Sequence, residues 1–261
     1  MPLQQTNAEP QVLDGRVAIV YGAGGQVGSA VSRAFARAGA TVHLAGHTAA
    51  PLERLAAEIR AAGGRAEPAV VDALDEGQVD RHASAVVAAG GRIDISLNVI
   101  AVGEVMGTPL VEMELADFEQ PIHRAVRTAF LTARAGARQM VEQGSGVLLF
   151  FGGSGDPVRE FSIGGFQVAL QAVDQLQKQF AAELGRRGVR TVMIQTGGIV
   201  DANPAESPES AEIAEMVAAE TLLGRAAVPE DVGAVAVFAA SDHARTITAA
   251  NLNISAGAIL P

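Results

Sequence analysis

Short runs rich in Val, Ile and Leu alternate along this chain with longer Ala-rich stretches of helical spacing, and that alternation constrains the fold more than any other feature. The apolar runs lie at 16–21, 41–45, 66–71, 93–98, 146–151, 189–194 and 251–255. Helical patterns fill 26–38, 49–62, 75–89, about 115–142, 165–186, about 208–222 and 229–240. Strands this short and this continuously apolar suit a parallel sheet buried on both faces. Parallel strands need crossovers, and the intervening helices supply them, so the pattern predicts an α/β, doubly wound parallel sheet with helices on both faces. No internal repeat or linker interrupts it. The expectation is one domain over residues 11–261, preceded by a disordered segment at 1–10.

Composition removes several functions. The chain has no cysteine, which excludes disulfides, thiol nucleophiles and Cys-based zinc sites. Its five histidines show no metal-ligand spacing, so no metal is expected. A formal charge of −10 argues against nucleic acid as a partner. No apolar run reaches the ~18–20 residues that span a bilayer, so no membrane association is expected. Residues 1–10 carry neither a basic nor an apolar stretch and do not read as a signal peptide, so a cytoplasmic location is expected.

The first strand runs into Tyr21-Gly22-Ala23-Gly24-Gly25-Gln26-Val27-Gly28 and then a helix. Glycines between a first strand and a first helix let the backbone turn sharply and approach a pyrophosphate, which the helix N-terminus then attracts. The segment at 201–210 is polar and broken by prolines, which predicts a loop. With its flanks, about 198–224, it reads as a lid over the ligand-binding edge of the sheet.

From about residue 14 onward the chain resembles the short-chain dehydrogenase/reductase family, and so a Rossmann-type sheet of about seven strands. Gly22 and Gly28 fall on the first and last glycines of that family's Thr-Gly-x-x-x-Gly-x-Gly, with Gln26 on the middle one and Tyr21 on the threonine. Asp72, followed by Ala73, matches the family's adenine-contacting aspartate, and Asn98 opens a partly kept Asn-Asn-Ala-Gly. Thr196-Gly197 stands where Pro-Gly usually lies beside the nicotinamide, with Ile199 just after it. Pro229-Glu230-Asp231-Val232 matches the C-terminal pattern. The resemblance implies NADP or NAD as cofactor, held by Gly22, Gly24, Gly25, Gln26, Val27, Gly28, His47, Asp72, Ala73, Asn98, Thr196, Gly197 and Ile199. At the end of the second strand an acidic residue would favour NAD. This chain has Gly46-His47 there, which tilts the expectation towards NADP.

The family's catalytic side chains are missing. Its tyrosine protonates or deprotonates the substrate oxygen, a lysine four residues on supports it, a serine polarises the carbonyl, and an asparagine organises a proton relay. The matching positions here are Phe166, Leu170, Gly153 and Ala125. No shift of register restores them, because Tyr21 is the only tyrosine and Lys178 the only lysine. Ser154 and Asp156 are the remaining candidates for a catalytic role, with Arg159 and Glu160 in the same loop and His123 and Arg127 on the long helix. Phe161, Ile163, Phe166, Val168 and Leu170 are expected to form an apolar pocket for a hydrophobic small molecule, with Glu104 after the fourth strand as a charged candidate beside it.

Three functions remain open at this point. One is an oxidoreductase that acts on an activated acceptor without the Tyr/Lys pair. A second is a non-redox enzyme of isomerase, cyclase or lyase type. The third is a catalytically inactive scaffold. The two long helices match those that form a dimer interface in the family, which implies a homodimer or homotetramer.

Overall fold

The computed structural model describes residues 11–157, 162–200 and 208–260. Seven parallel strands form one sheet in the order β3-β2-β1-β4-β5-β6-β7. They are β1 (Val17–Tyr21), β2 (Thr41–Gly46), β3 (Arg65–Val70), β4 (Ile95–Asn98), β5 (Gly146–Gly152), β6 (Val189–Gln195) and β7 (Ala250–Asn253). Helices follow as α1 (Gln26–Arg37), α2 (Ala49–Ala61), α3 (Glu76–Gly90), α4 (Leu115–Gln143), α5 (Gly165–Leu184), α6 (Pro208–Ala219) and α7 (Pro229–Ala240).

The central strand shows why its sequence reads as continuously apolar. Side chains of a strand alternate between faces, and here both faces are covered. Ala18 and Val20 enter a core built with α1, α2 and α7, where Phe35, Leu52 and Val232 are buried. Val17, Ile19 and Tyr21 enter a second core built with α3, α4 and α5, where Val79, Leu131 and Val173 are buried. Every β1 residue is buried as a result.

Several ends are fixed by identifiable groups. Asp75 caps α3 by accepting the Gln78 N–H at 2.9 Å, and α7 begins with Pro229 while Asp231 accepts the Val228 N–H at 3.1 Å. At the N-terminal edge, the buried Asp94 carboxylate accepts the Val17 N–H at 2.9 Å and pairs with Arg92 at 2.6 Å. At the C-terminal edge, Asn98 donates to Thr132 Oγ1 at 3.2 Å and accepts the Ile100 N–H at 3.0 Å, tying β4 to α4. No described helix is long and apolar enough to cross a membrane.

Chain order reverses between β1 and β4: β2 and β3 extend to one side, β5 to β7 to the other. Adjacent loops diverge at such a point and leave a crevice beyond the carboxyl ends of the strands.

Candidate functional site

A cleft of about 610 Å³ occupies that crevice, within the range of small-molecule sites (~300–1,000 Å³). It runs from the glycine turn past the ends of β2 and β3 to the loop after β4, and on to α4, β5 and α5.

Close backbone packing builds the glycine end. Gly22 has φ +86°, a left-handed conformation that glycine adopts without a Cβ penalty. The Gly22 and Ala23 N–H groups both donate to Ala45 O, at 2.9 and 3.1 Å. A Cβ on Gly28 would lie 2.1 Å from Gly22 O, so the first and last glycines of the turn are pressed together. No side chain caps α1 and no carboxylate stands in its first turn. A helix start of this kind, opening onto a cleft, suits the phosphates of a dinucleotide. Gly24, Gly25, Gln26 and Val27 line the cleft beside them, with Gln26 exposed at the helix start.

At the ends of β2 and β3 the lining continues with the exposed His47 and Asp72, then Ala73. Asp72 Oδ1 accepts the Leu74 N–H at 2.9 Å, which shapes the turn into α3. The carboxylate expected of an NAD-selective site is absent from the end of β2, where Gly46, His47 and Thr48 face the cleft.

At the β5–α5 end the lining is apolar. Ala125, Phe151, Phe166, Leu170, Val173 and Met193 meet there, so Phe166, Leu170 and Ala125, which the family resemblance matches to its tyrosine, lysine and asparagine, share one apolar wall. Leu170 fills its share of the gap: a Cβ on Gly153 would meet Leu170 Cδ1 at 3.0 Å, and one on Gly152 would meet Cδ2 at 3.1 Å. Gly153 and Leu170, matched by the resemblance to the serine and lysine, are thus in contact with each other.

Not every expected residue reaches the cleft. Gly22, Gly24, Gly25, Gln26, Val27, Gly28, His47, Asp72, Ala73, Glu104, Ala125, Phe166 and Leu170 line it. Ser154 and Asp156 do not: the Ser154 hydroxyl accepts the Asp156 N–H at 3.1 Å in a turn of its own, and Asp156 is exposed. Gly153 sits behind Leu170, outside the lining. Asn98 spends both polar ends on the frame. Thr196, Gly197 and Ile199 also lie outside the lining; the Thr196 N–H donates to Gly152 O at 2.8 Å, and Ile199 bridges to Ala227. Val168, expected in the pocket, is exposed on α5, and Ile163 is absent from the lining. Phe161, Arg159 and Glu160 lie outside the described residues, as do residues 1–10 and 201–207. No described residue of 198–224 lines the cleft.

The two side chains that might have replaced the missing pair are committed elsewhere. Tyr21 is 1% exposed, in the core, with no hydrogen-bond partner for its hydroxyl among the described residues. Burial, with Asp80 nearby, raises its pKa well above the ordinary phenol value. Lys178 is bound to Asp174 at 2.5 Å.

Sequence reasoning missed Arg124, which lines the cleft and sits one residue before Ala125. It had singled out His123 and Arg127, which share a different stripe of α4. The missed signal was helical spacing: 124 and 128 flank the stripe of 125, and all three line the cleft. Also missed was a buried stack beneath β1, in which the Tyr21 and His82 rings lie 5.9 Å apart and the His43 and His82 rings 6.4 Å apart.

Known proteins match this geometry along almost the whole chain. The family described as Enoyl-(Acyl carrier protein) reductase matches residues 22–258. D-threitol dehydrogenase of Mycolicibacterium smegmatis is 30% identical over 94% of this chain and 93% of its own. A short-chain type dehydrogenase/reductase from Mycobacterium marinum superposes with a TM-score of 0.84 at 27% identity, covering 95% of this chain and 97% of its own. A 7α-hydroxysteroid dehydrogenase in complex with NADH and 7-oxo glycochenodeoxycholic acid gives 0.84 at 26% identity, over 96% and 97%. Together with the parallel sheet and the glycine turn, these matches establish that the chain belongs to the short-chain dehydrogenase/reductase family of oxidoreductases.

Proposed function

We propose that this protein is an NAD(P)-dependent oxidoreductase that transfers hydride between the nicotinamide and a small, largely apolar organic molecule without a tyrosine–lysine pair. The observation that carries the reading is the juxtaposition of two unlike ends in one cleft. The glycine end suits a dinucleotide, and the β5–α5 end offers Phe166 and Leu170 where acid–base chemistry would stand. The dehydrogenase that superposes with this fold binds NADH. NADP is the preferred form here, because no carboxylate at the end of β2 repels a 2′-phosphate and His47 is exposed beside the cleft.

An apolar active site favours acceptors that need little proton assistance. Hydride addition to an iminium carbon neutralises the nitrogen cation and yields an amine with no proton transfer. Addition to the β-carbon of a conjugated enone yields an enolate, which water then protonates. Reduction of a plain ketone builds a full alkoxide, and Phe166 has no proton for it. Asp156, being exposed and outside the cleft lining, is not assigned the donor's role.

The test is turnover of reduced nicotinamide, followed by absorbance, with a cyclic iminium, an apolar conjugated enone and the matching saturated ketone. The iminium and the enone should be reduced and the ketone left almost untouched. The variant G153S/F166Y/L170K should gain ketone reduction by ~10²-fold or more, the usual size of a positioned acid–base contribution. Equal turnover of all three acceptors by the wild type would overturn the reading, as would failure to bind NADPH or NADH at millimolar concentration.

A further inference from the structure

The described lining of the cleft contains a single arginine or lysine, Arg124. It stands on α4 directly before Ala125, and its Nη1 comes within 3.6 Å of the point a Cβ on Gly103 would take, so the loop after β4 folds over it. Its Nε is buried and has no hydrogen-bond partner among the described residues. Arg134 on the same helix also has a buried Nε without a partner among the described residues, but it lies outside the cleft lining, and its guanidinium and those of its neighbours are otherwise engaged. Arg127 donates to Leu74 O at 2.8 Å, Arg134 pairs with Glu76 at 2.7 Å, and Arg138 pairs with Asp80 at 3.1 Å.

A buried N–H donor on a charged group is held without a partner only at a cost. A guanidinium whose Nε is left so, at a cleft wall where the carboxylates lining the cleft are Asp72 and Glu104, is set for a ligand that brings the acceptor. Its planar fork matches the paired oxygens of a carboxylate or phosphate. We propose that Arg124 is the anion anchor of this cleft, the cationic group that remains after leucine took the lysine position, and that it grips an anionic oxygen pair on the bound ligand. This inference rests on the proposed cofactor and substrate reading and names a chemical class within it. Two molecules could bring the group: the dinucleotide, through its phosphates, or the organic substrate, through a carboxylate.

Calorimetric titration of wild type, R124M and R124K separates these sources. The probes are NADPH, NADH and, with nucleotide saturating, cinnamate against cinnamamide, an apolar acid and its neutral isostere. If the phosphates are the partner, R124M should weaken both nucleotides by about tenfold to a hundredfold, with R124K recovering part of the loss. If a substrate carboxylate is the partner, nucleotide affinity should stay unchanged. Wild type should then prefer cinnamate over cinnamamide, a preference R124M abolishes. Nucleotide binding and acid–amide selectivity both unchanged in a folded R124M would overturn the inference alone. Should R124M not fold, the wild type still decides: binding of NADPH that is insensitive to added salt, with no preference for the acid, overturns it as well. A wild type that binds neither nucleotide nor acid defeats the proposed function itself.

Discussion

The two ends of the cleft are held to different standards. At the glycine end, backbone meets backbone: Gly22 and Gly28 touch so closely that no side chain fits between them. At the β5–α5 end, side chain meets glycine, and Leu170 lies over Gly152 and Gly153 with flexible methyl groups. The first arrangement tolerates no substitution without moving the main chain. The second is an apolar packing in which flexible methyl groups can give way. A shared scaffold can therefore keep the geometry of a binding site while the reactive residues beside it are replaced.

The sharpest way to break this comparison is G28A. The added methyl would sit 2.1 Å from Gly22 O, so we expect a loss of ~4 kcal/mol or more, a melting temperature lower by roughly 10 °C, and loss of nucleotide affinity. A variant that melts and binds like wild type would show the glycine end to be as permissive as the other.

A second test leaves the cleft for the stack that supports its floor. His82 is held neutral by burial, with His43 adding to the effect, and its pKa falls from 6.5 to about 4. Burial lowers His43 too, opposed by Glu67 on the neighbouring strand. Tyr21 faces His82 from β1, and Asp80 lies on the same helix. Above pH 6.5 both folded and unfolded chains carry neutral His82, so nothing is lost. As pH falls from 6.5 towards 4 the unfolded chain takes up a proton that the folded chain refuses, and stability declines by up to ~3 kcal/mol. Denaturant midpoints measured across that interval should fall in the wild type and flatten in H82L. A wild type with level midpoints over the same range would remove the stack from the account.

The smallest effect concerns the apolar end. G153S should cost ~1 kcal/mol through contact with Leu170 Cδ1. L170A should relieve that cost in the double variant, giving a coupling of similar size by thermal melts. Additive effects would mean the two positions changed independently.

Much of the frame was legible in the sequence because the signals are local. All seven strands and seven helices fall within a few residues of their expected bounds. The helix expected at 208–222 stops at Ala219, where Thr221 Oγ1 donates to Ala218 O at 2.8 Å and accepts the Arg225 N–H at 3.0 Å. The β4 run expected from 93 begins at Ile95, although the Asp94 N–H still donates to Val17 O and its carbonyl accepts the Val147 N–H, each at 2.8 Å. The glycine turn was legible for the same local reason. Ser154 misled because adjacency in sequence says nothing about whether a loop turns its hydroxyl inward. Arg124 and the Tyr21–His82–His43 stack were illegible for the opposite reason. Their meaning depends on which residues from separate elements come to share one wall or one core.

The buried phenol of Tyr21 has a further use. With no tryptophan and one tyrosine in the chain, all its near-ultraviolet emission of consequence comes from a ring that is 1% exposed and directly precedes Gly22. The protein thus carries a single-site optical reporter directly before its glycine turn. Unfolding and acid titration of the neighbouring histidine can each be followed by that one fluorophore, without a label and without a mutation.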